Sequence, residues 1–406
     1  MRLTDVQNIE ISNFDYDLPN ERIAKFPLEN RADSKLLVFG KNITTSQYKD
    51  LPQILPSKSL LVFNNTKVVQ ARLHFSNENG AKIEVFCLQP TEQIDVQKGM
   101  QTTKKILWNC LIGNAKKWKQ DFLHKEVVVN GKSTLLKLSI TKKKEGSFDI
   151  MFDWADEQIA FAEILEVVGN IPLPPYMNRT VEKSDENRYQ TVYAKHKGSV
   201  AAPTAGLHFT TELKEKLDTV DISQEELTLH VGAGTFMPVK SDTMKDHNMH
   251  DEEVIISKTS LRALLANDTI NAVGTTSCRS LESLFWLGNE YINTGNLQNE
   301  VSQWVPYQTT KINKLNHVLE ALLSYLELNG KFNIKFKTSL IIAPGYQFQV
   351  INGLLTNFHQ PKSTLILLVA ALVGDQWKAM YQYALAHNYR FLSYGDGAYL
   401  KSNKHV

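Results

Sequence analysis

The feature that most constrains this chain is a change of period along it. Before about residue 65 and after about residue 155, apolar strands run into helices; between those points one short strand follows another. INAVGTT (270–276) reads as a buried strand that feeds directly into the helix SLESLFWLG (280–288), and STLILLVAALVG (363–374) is an apolar helix stopped by glycine. Such strand-to-helix steps build a layered α/β structure in which helices cover a sheet. By contrast, KIEVFCL (82–88), KILWNCLIG (105–113), KEVVVNG (125–131) and FDIMFDW (148–154) are separated by Gly, Asn and Lys clusters, the pattern of a small barrel or sandwich. The expected fold is therefore an α/β main domain with a mixed sheet, plus an inserted small β-barrel domain. Residues 1–65 and 155–406 make the discontinuous α/β part, with an extra segment near 286–336. Residues 66–154 make the lysine-rich insert. In the main part, SLLVFNN (59–65) reads as a strand and EQIAFAEILEVVG (157–169) as a helix ending at Gly169. LTLHVGAGTFMPV (227–239) reads as two strands around a Gly-Ala-Gly turn.

Composition narrows the class further. With 406 residues, 42% hydrophobic and 22% charged, the chain is globular and long enough for more than one core. Its longest apolar run, 365–373, is too short to cross a bilayer, and MRLTDVQNIEIS at the N-terminus lacks the apolar stretch of a secretion signal. Three cysteines (Cys87, Cys110, Cys278) with no CxxC pair argue against a disulfide framework or structural zinc, and for a reducing compartment. A cytoplasmic monomer with no membrane partner is the expectation. The net charge of +2 hides a local excess: residues 101–150 hold eleven lysines against four carboxylates. A run of this kind is a solvated face or a surface for nucleic-acid phosphates. Lys116, Lys117, Lys142 and Lys143 mark it.

Common catalytic signatures are missing. No GxxxxGK[ST], GxGxxG, HExxH or GxSxG occurs. What remains is a set of dense polar blocks. PLPPYMNR (172–179) leads to DENRYQTVYAKHKGSVAAPTAGLHFT (185–210), where small residues through Thr204, Ala205 and Gly206 let backbone amides approach a ligand. His208 and Arg188 flank that loop, and Tyr189 and Tyr193 offer aromatic faces. In VGTTSCRSLES (273–283), Thr275, Thr276 and Ser277 stand where a strand becomes a helix, a ready anion or ribose site. Arg279 there suits a carboxylate or phosphate, and Glu282 is an acid/base candidate or one half of a surface pair. In LLTNFHQPKSTLILLVAALVG (354–374), Lys362, Ser363 and Thr364 are expected in the first turn of a helix opened by Pro361. A lysine there opposes the helix dipole, which favours a ligand-binding reason for it. YRFLSYGDGAYL (389–400) carries Asp396 in a turn, and HNMHDEE (247–253) carries a His pair that reads as a solvated loop or part of a substrate pocket. No metal is needed.

Together these blocks resemble the S-adenosylmethionine:tRNA ribosyltransferase-isomerase family of queuosine biosynthesis. FDYDLPNERIAKFPLENRADSKLLV (14–38), LLVFNNTKVVQARL (60–73), MHDE (249–252), APGYQF (343–348) and the segments above occur in that family's order over most of the chain. The resemblance implies that S-adenosylmethionine is a ribosyl-donor substrate, with no prosthetic group. The implied acceptor is 7-aminomethyl-7-deazaguanine, the guanine-type wobble base in the anticodon loop of a tRNA. The products would be epoxyqueuosine-tRNA, adenine and methionine. It also implies that the donor lies near 204–206, His208, 275–279 and 362–364, and that the acid/base group is among His208, His230, Glu282, His359 and Asp396. Arg188 and Arg279 would orient a carboxylate or phosphate.

This chain departs from the family pattern at Asn65 and Lys67, where Asp and Arg are common, at Gln360 (Leu) and at Gly397 (Ala). It also carries the extra segment between VGTTSCRSLES and PGYQF. Two other readings compete: a methyltransferase on RNA using the same donor, and a noncatalytic tRNA-binding relative.

Overall fold

The structure, a computed structural model, describes residues 2–91, 94–232, 239 and 241–402. Its larger sheet has ten strands, in the order Glu300–Val301, Asn333–Thr338, Glu252–Ser257, Ser223–Leu229, Ser59–Asn64, Thr269–Val273, Gly353–Asn357, Gly397–Lys401, Lys35–Phe39 and Ile43–Gln47. Ser59–Asn64 and Gly353–Asn357 are buried at every position, as strands covered on both faces must be. Four neighbours, from Ser223–Leu229 to Gly353–Asn357, run parallel. Their carboxyl ends therefore share one edge. The sheet is mixed, because its outer strands add antiparallel pairs.

Only Gly274 separates strand Thr269–Val273 from helix Thr275–Thr294, and its φ of 90° makes so abrupt a turn possible without steric strain. Of the two strands expected in 227–239, Ser223–Leu229 accounts for the first; residues 233–238, which hold the rest of the expected turn and nearly all of the second strand, lie outside the described residues. The extra segment extends the main core. Helix Leu315–Leu328 buries Val318, Leu319, Leu322 and Leu326 against helices Lys258–Ala266 and Thr275–Thr294, and Asn333–Thr338 lengthens the sheet.

The second sheet is antiparallel throughout, in the order Gly169–Asn170, Arg72–Ser76, Lys82–Pro90, Lys105–Gly113, Ser147–Asp153, Lys132–Lys144 and Leu123–Val129. The expected barrel is a curled half-barrel instead. Its edge strands share no ladder, and helix Phe161–Val168 packs across the opening against Leu123–Val129, Arg72–Ser76 and Gly169–Asn170. Phe161 is the reason: its ring lies 5.0 Å from Trp108 and 5.1 Å from Phe152. Removing that much aromatic surface from water outweighs closing a ladder by hydrogen bonds that water supplies equally well. The unit's packing thus runs on to Asn170.

The chain enters and leaves this unit where Arg72 pairs with Asn170. At the opposite end, Phe148 faces Cys110, so the turn at 145–146 and the exit of strand Lys105–Gly113 lie together. Lys116, Lys117, Lys142 and Lys143 are all exposed there. Among the described residues no helix is long and apolar enough to cross a membrane.

Candidate active site

Ligands of open α/β sheets bind beyond the carboxyl ends of parallel strands, and here that edge opens into two adjoining cavities. The larger, about 260 Å³, is bounded by the first turn of helix Thr275–Thr294 (Thr275, Thr276, Arg279), by Ser363 and Thr364 at the start of helix Thr364–Val373, and by His247, His250 and Glu252. The smaller, about 70 Å³, is bounded by the 201–205 loop, Tyr176, Ser393 and the 356–360 segment. Thr275, Thr276, Ser363 and Leu365 belong to both, so the two are one site with a waist.

Two helix beginnings meet at that waist, and each carries unsatisfied N–H groups and a positive dipole end. Ser363 caps the second helix, its hydroxyl accepting from the Ile366 amide at 3.4 Å. The buried hydroxyl oxygen of Thr276, which lines both cavities, finds no hydrogen-bond partner among the described residues. An unpartnered polar atom in a cavity wall is costly unless a ligand completes it. Arg279 is ion-paired with Glu252, which is 5% exposed, and burial lowers the guanidinium to about 10. The site thus offers anion-binding amides, a buried cation beside a carboxylate, and neutral polar groups at the narrow end.

Comparison with known proteins places the chain. A family described as queuosine biosynthesis protein matches residues 11–400. The chain belongs to that family. An S-adenosylmethionine:tRNA ribosyltransferase-isomerase from Desulfitobacterium hafniense is 35% identical over 396 residues, covering 96% of this chain and 98% of its own. One from Vesicomyosocius okutanii is 34% identical over 403 residues, covering 97% and 99%. The crystal structure of S-adenosylmethionine tRNA ribosyltransferase from Thermotoga maritima covers 96% of this chain and 99% of its own, at 25% identity and a TM-score of 0.45.

Within this queuosine-biosynthesis chain, the residues singled out from sequence divide into two groups. Thr204, Ala205, Thr275, Thr276, Arg279, His359, Ser363 and Thr364 line the cavities. His359 lies over the smaller one. Its Nε2 is 2.8 Å from the Thr356 hydroxyl, its amide donates to the Tyr381 hydroxyl at 3.1 Å, and its carbonyl accepts from Tyr16. Burial lowers the ring to about 3, so it is neutral.

The remaining candidates sit elsewhere. Glu282 is fully buried in the core: one oxygen accepts from the Tyr346 hydroxyl (2.7 Å) and the Gln349 amide (2.8 Å), the other from the amides of Val350 (2.9 Å) and Ile351 (3.1 Å). It pins the 346–351 loop to the helix. Asp396, its pKa raised by burial, accepts from the Lys35 and Arg390 amides and so ties its turn to strand Lys35–Phe39. Arg188 donates to the carbonyls of Leu28 and Glu29. Tyr189 is buried edge-on against Tyr394. Gly206 is small because a Cβ there would lie 1.9 Å from the Tyr193 hydroxyl. Ser277 is buried one turn-step behind Thr276.

His230 lines neither cavity. It ends the strand beside the site, its Nδ1 3.0 Å from the Thr66 hydroxyl, with burial lowering it to about 4. His208 sits behind the smaller cavity, stacked on Tyr48 at 4.1 Å, with its Nε2 3.3 Å from the Asn357 amide nitrogen. Lys362 departs from its expected helical place: the helix starts at Thr364, and Lys362 precedes the cap with φ 54° and pairs with Asp15 at 2.7 Å. Its charge therefore does not oppose a dipole. Sequence reasoning passed over Glu252, although MHDE contains it, and expected Asn357 in a loop with His359, whereas Asn357 ends strand Gly353–Asn357 and lines the smaller cavity. His247 and His250 line the larger cavity, His247 half-buried and His250 exposed to solvent. Among the described residues no three His, Cys, Asp or Glu side chains could hold a metal.

Proposed function

We propose that this chain is an S-adenosylmethionine:tRNA ribosyltransferase-isomerase. It transfers the ribosyl portion of the donor to 7-aminomethyl-7-deazaguanine at the wobble position of a tRNA and rearranges it to epoxyqueuosine, releasing adenine and methionine. The observation that carries this is the paired cavity at the strand ends, walled by two helix beginnings and Arg279, in a chain aligned nearly end to end with enzymes of that name.

The donor carries a carboxylate, a sulfonium and a purine. The first turns at Thr275 and Thr364, with Arg279, suit the carboxylate. A sulfonium acidifies the adjacent 5′-carbon of the ribose. Removing a proton there gives an ylide, which expels adenine; the acceptor amine then attacks, and closure to the epoxide expels methionine. His359 lies in the wall of the smaller cavity with its Nε2 2.8 Å from the Thr356 hydroxyl, and on that position we assign it the proton-transfer role. A wobble base in a single-stranded loop can be splayed into such a site cheaply. The exposed lysines of the curled sheet would meet tRNA phosphates away from the reaction.

The test is direct. Protein incubated with S-adenosylmethionine and tRNA bearing the aminomethyl base should release adenine and methionine in equal amounts, one of each per modified tRNA. Folded protein that releases no adenine from correctly modified tRNA sinks the proposal.

A further inference from the structure

One amide on the wall of the smaller cavity has its orientation forced on it. Asn357, 4% exposed, ends strand Gly353–Asn357; its Oδ1 accepts from the Thr204 hydroxyl at 2.8 Å, and its Nδ2 lies 3.3 Å from His208 Nε2. An amide nitrogen only donates, so His208 Nε2 must accept and the ring proton must sit on Nδ1. The main chain of Arg31 provides a hydrogen-bond partner for the ring. The ring cannot swing, since it is 3% exposed and stacked on Tyr48 with planes 22° apart.

Two consequences reach the cavity. Asn357 spends one N–H on His208 and keeps a second, held about 120° away by the planar amide. Thr204 spends its proton on Asn357, so its oxygen has only lone pairs left to offer. Both residues line the smaller cavity. The wall therefore presents a fixed donor beside a fixed acceptor. That order complements an edge with an acceptor next to a donor, as in adenine (a ring nitrogen beside the exocyclic amine) or 7-deazaguanine (the carbonyl beside the ring N–H).

We propose that Asn357 and Thr204 form a subsite that reads the edge of a purine-type base, and that His208 is a positioning residue that sets the polarity of that subsite. The proposal rests on the function proposed above for its two possible bases: the donor's adenine and the acceptor's deazaguanine.

The experiment compares His208→Met, which removes the acceptor nitrogen, His208→Gln, which restores an acceptor oxygen, and Thr204→Val. Adenine release is measured while S-adenosylmethionine and tRNA are varied separately, with thermal melts to establish folding. The expected result is a roughly tenfold rise in one KM for His208→Met and for Thr204→Val, the loss of one well-made hydrogen bond, with the other KM unchanged and His208→Gln closer to wild type. A rise in the donor's KM identifies the base as adenine; a rise in that of the tRNA identifies the acceptor base. Folded variants that keep both KM values within about twofold of wild type overturn the proposal. If His208→Met does not melt cooperatively, Thr204→Val decides alone. If wild-type protein releases no adenine, the function reading has failed separately. Calorimetric titration of wild type and Thr204→Val with adenosine and with guanosine then decides the subsite: a tenfold loss for one nucleoside supports it, and equal or absent binding refutes it.

Discussion

At the carboxyl ends of the parallel strands, the polar side chains are buried and largely bonded to one another; at the far end of the curled sheet, lysines stand in solvent. His208, His230 and His359 are each less than 9% exposed, whereas Lys116, Lys117, Lys142 and Lys143 are exposed, and none of the four makes an ion pair with a described residue. The difference teaches how each region can work. A buried, hydrogen-bonded set is pre-organised and loses much when one member is removed, because its partners are left desolvated and unpaired. An exposed set acts by charge through water, so each member adds little and salt erases it.

The largest effect should come from the buried side. Arg279→Ala leaves the buried Glu252 without its cation, and kcat/KM for adenine release should fall at least about a hundredfold. A fall of only a few fold would erase the contrast between the two regions. Glu282→Gln separates buried structure from buried chemistry: with four donors facing one carboxylate, the substitution should cost about 3 kcal/mol in denaturant unfolding. Turnover per folded molecule should stay within about twofold. A stable but inactive Glu282→Gln would return that residue to the chemistry.

Acid should act on the buried side as well. The three histidines are held from the ordinary 6.5 down to about 3 (His208 and His359) and about 4 (His230), chiefly by desolvation. From pH 6.5 down to about 4 the unfolded chain takes up protons on these rings while the folded one does not, so acidification favours unfolding. Melting temperature should drop as pH falls through that window. Replacing His230 by Gln should flatten part of the drop, and an unchanged slope would mean its ring is not held neutral. The smallest effect belongs to the lysines. Lys116→Ala with Lys142→Ala should raise the tRNA KM a few fold and reduce the salt dependence of binding by about one unit of slope per lost phosphate contact, leaving kcat unchanged. No change in salt slope would make that end a merely solvated face.

Much of this was legible in the residues, for identifiable reasons. Strand Ser59–Asn64 carries the continuous apolar run LLVF, and Gly274 and Gly374 mark the helix boundaries that matter. The polar blocks meet at one edge because parallel strands align their carboxyl ends. What stayed hidden depends on partners distant in sequence. Glu282 and Arg279 lie on one helix three residues apart, yet Glu282 turns to a loop at 346–351 and Arg279 to Glu252; helical periodicity does not say which neighbour each face will meet. The allegiance of helix Phe161–Val168 was decided by Trp108 and Phe152, some fifty and ten residues upstream. Lys132–Lys144 hides a strand because its long lysine-rich end is solvent-facing, although Leu136 and Leu138 alternate inward. Lys362 adopts a left-handed conformation that non-glycine residues seldom take.

The central claim is that the donor's sugar, not its methyl group, is what the site delivers. Two preparations of S-adenosylmethionine, one labelled in the ribose and one in the methyl group, test it in a single reaction with the aminomethyl-bearing tRNA. Ribose label should appear in the tRNA and methyl label in free methionine. Methyl label in the tRNA, with ribose label left in free nucleoside, would contradict the account.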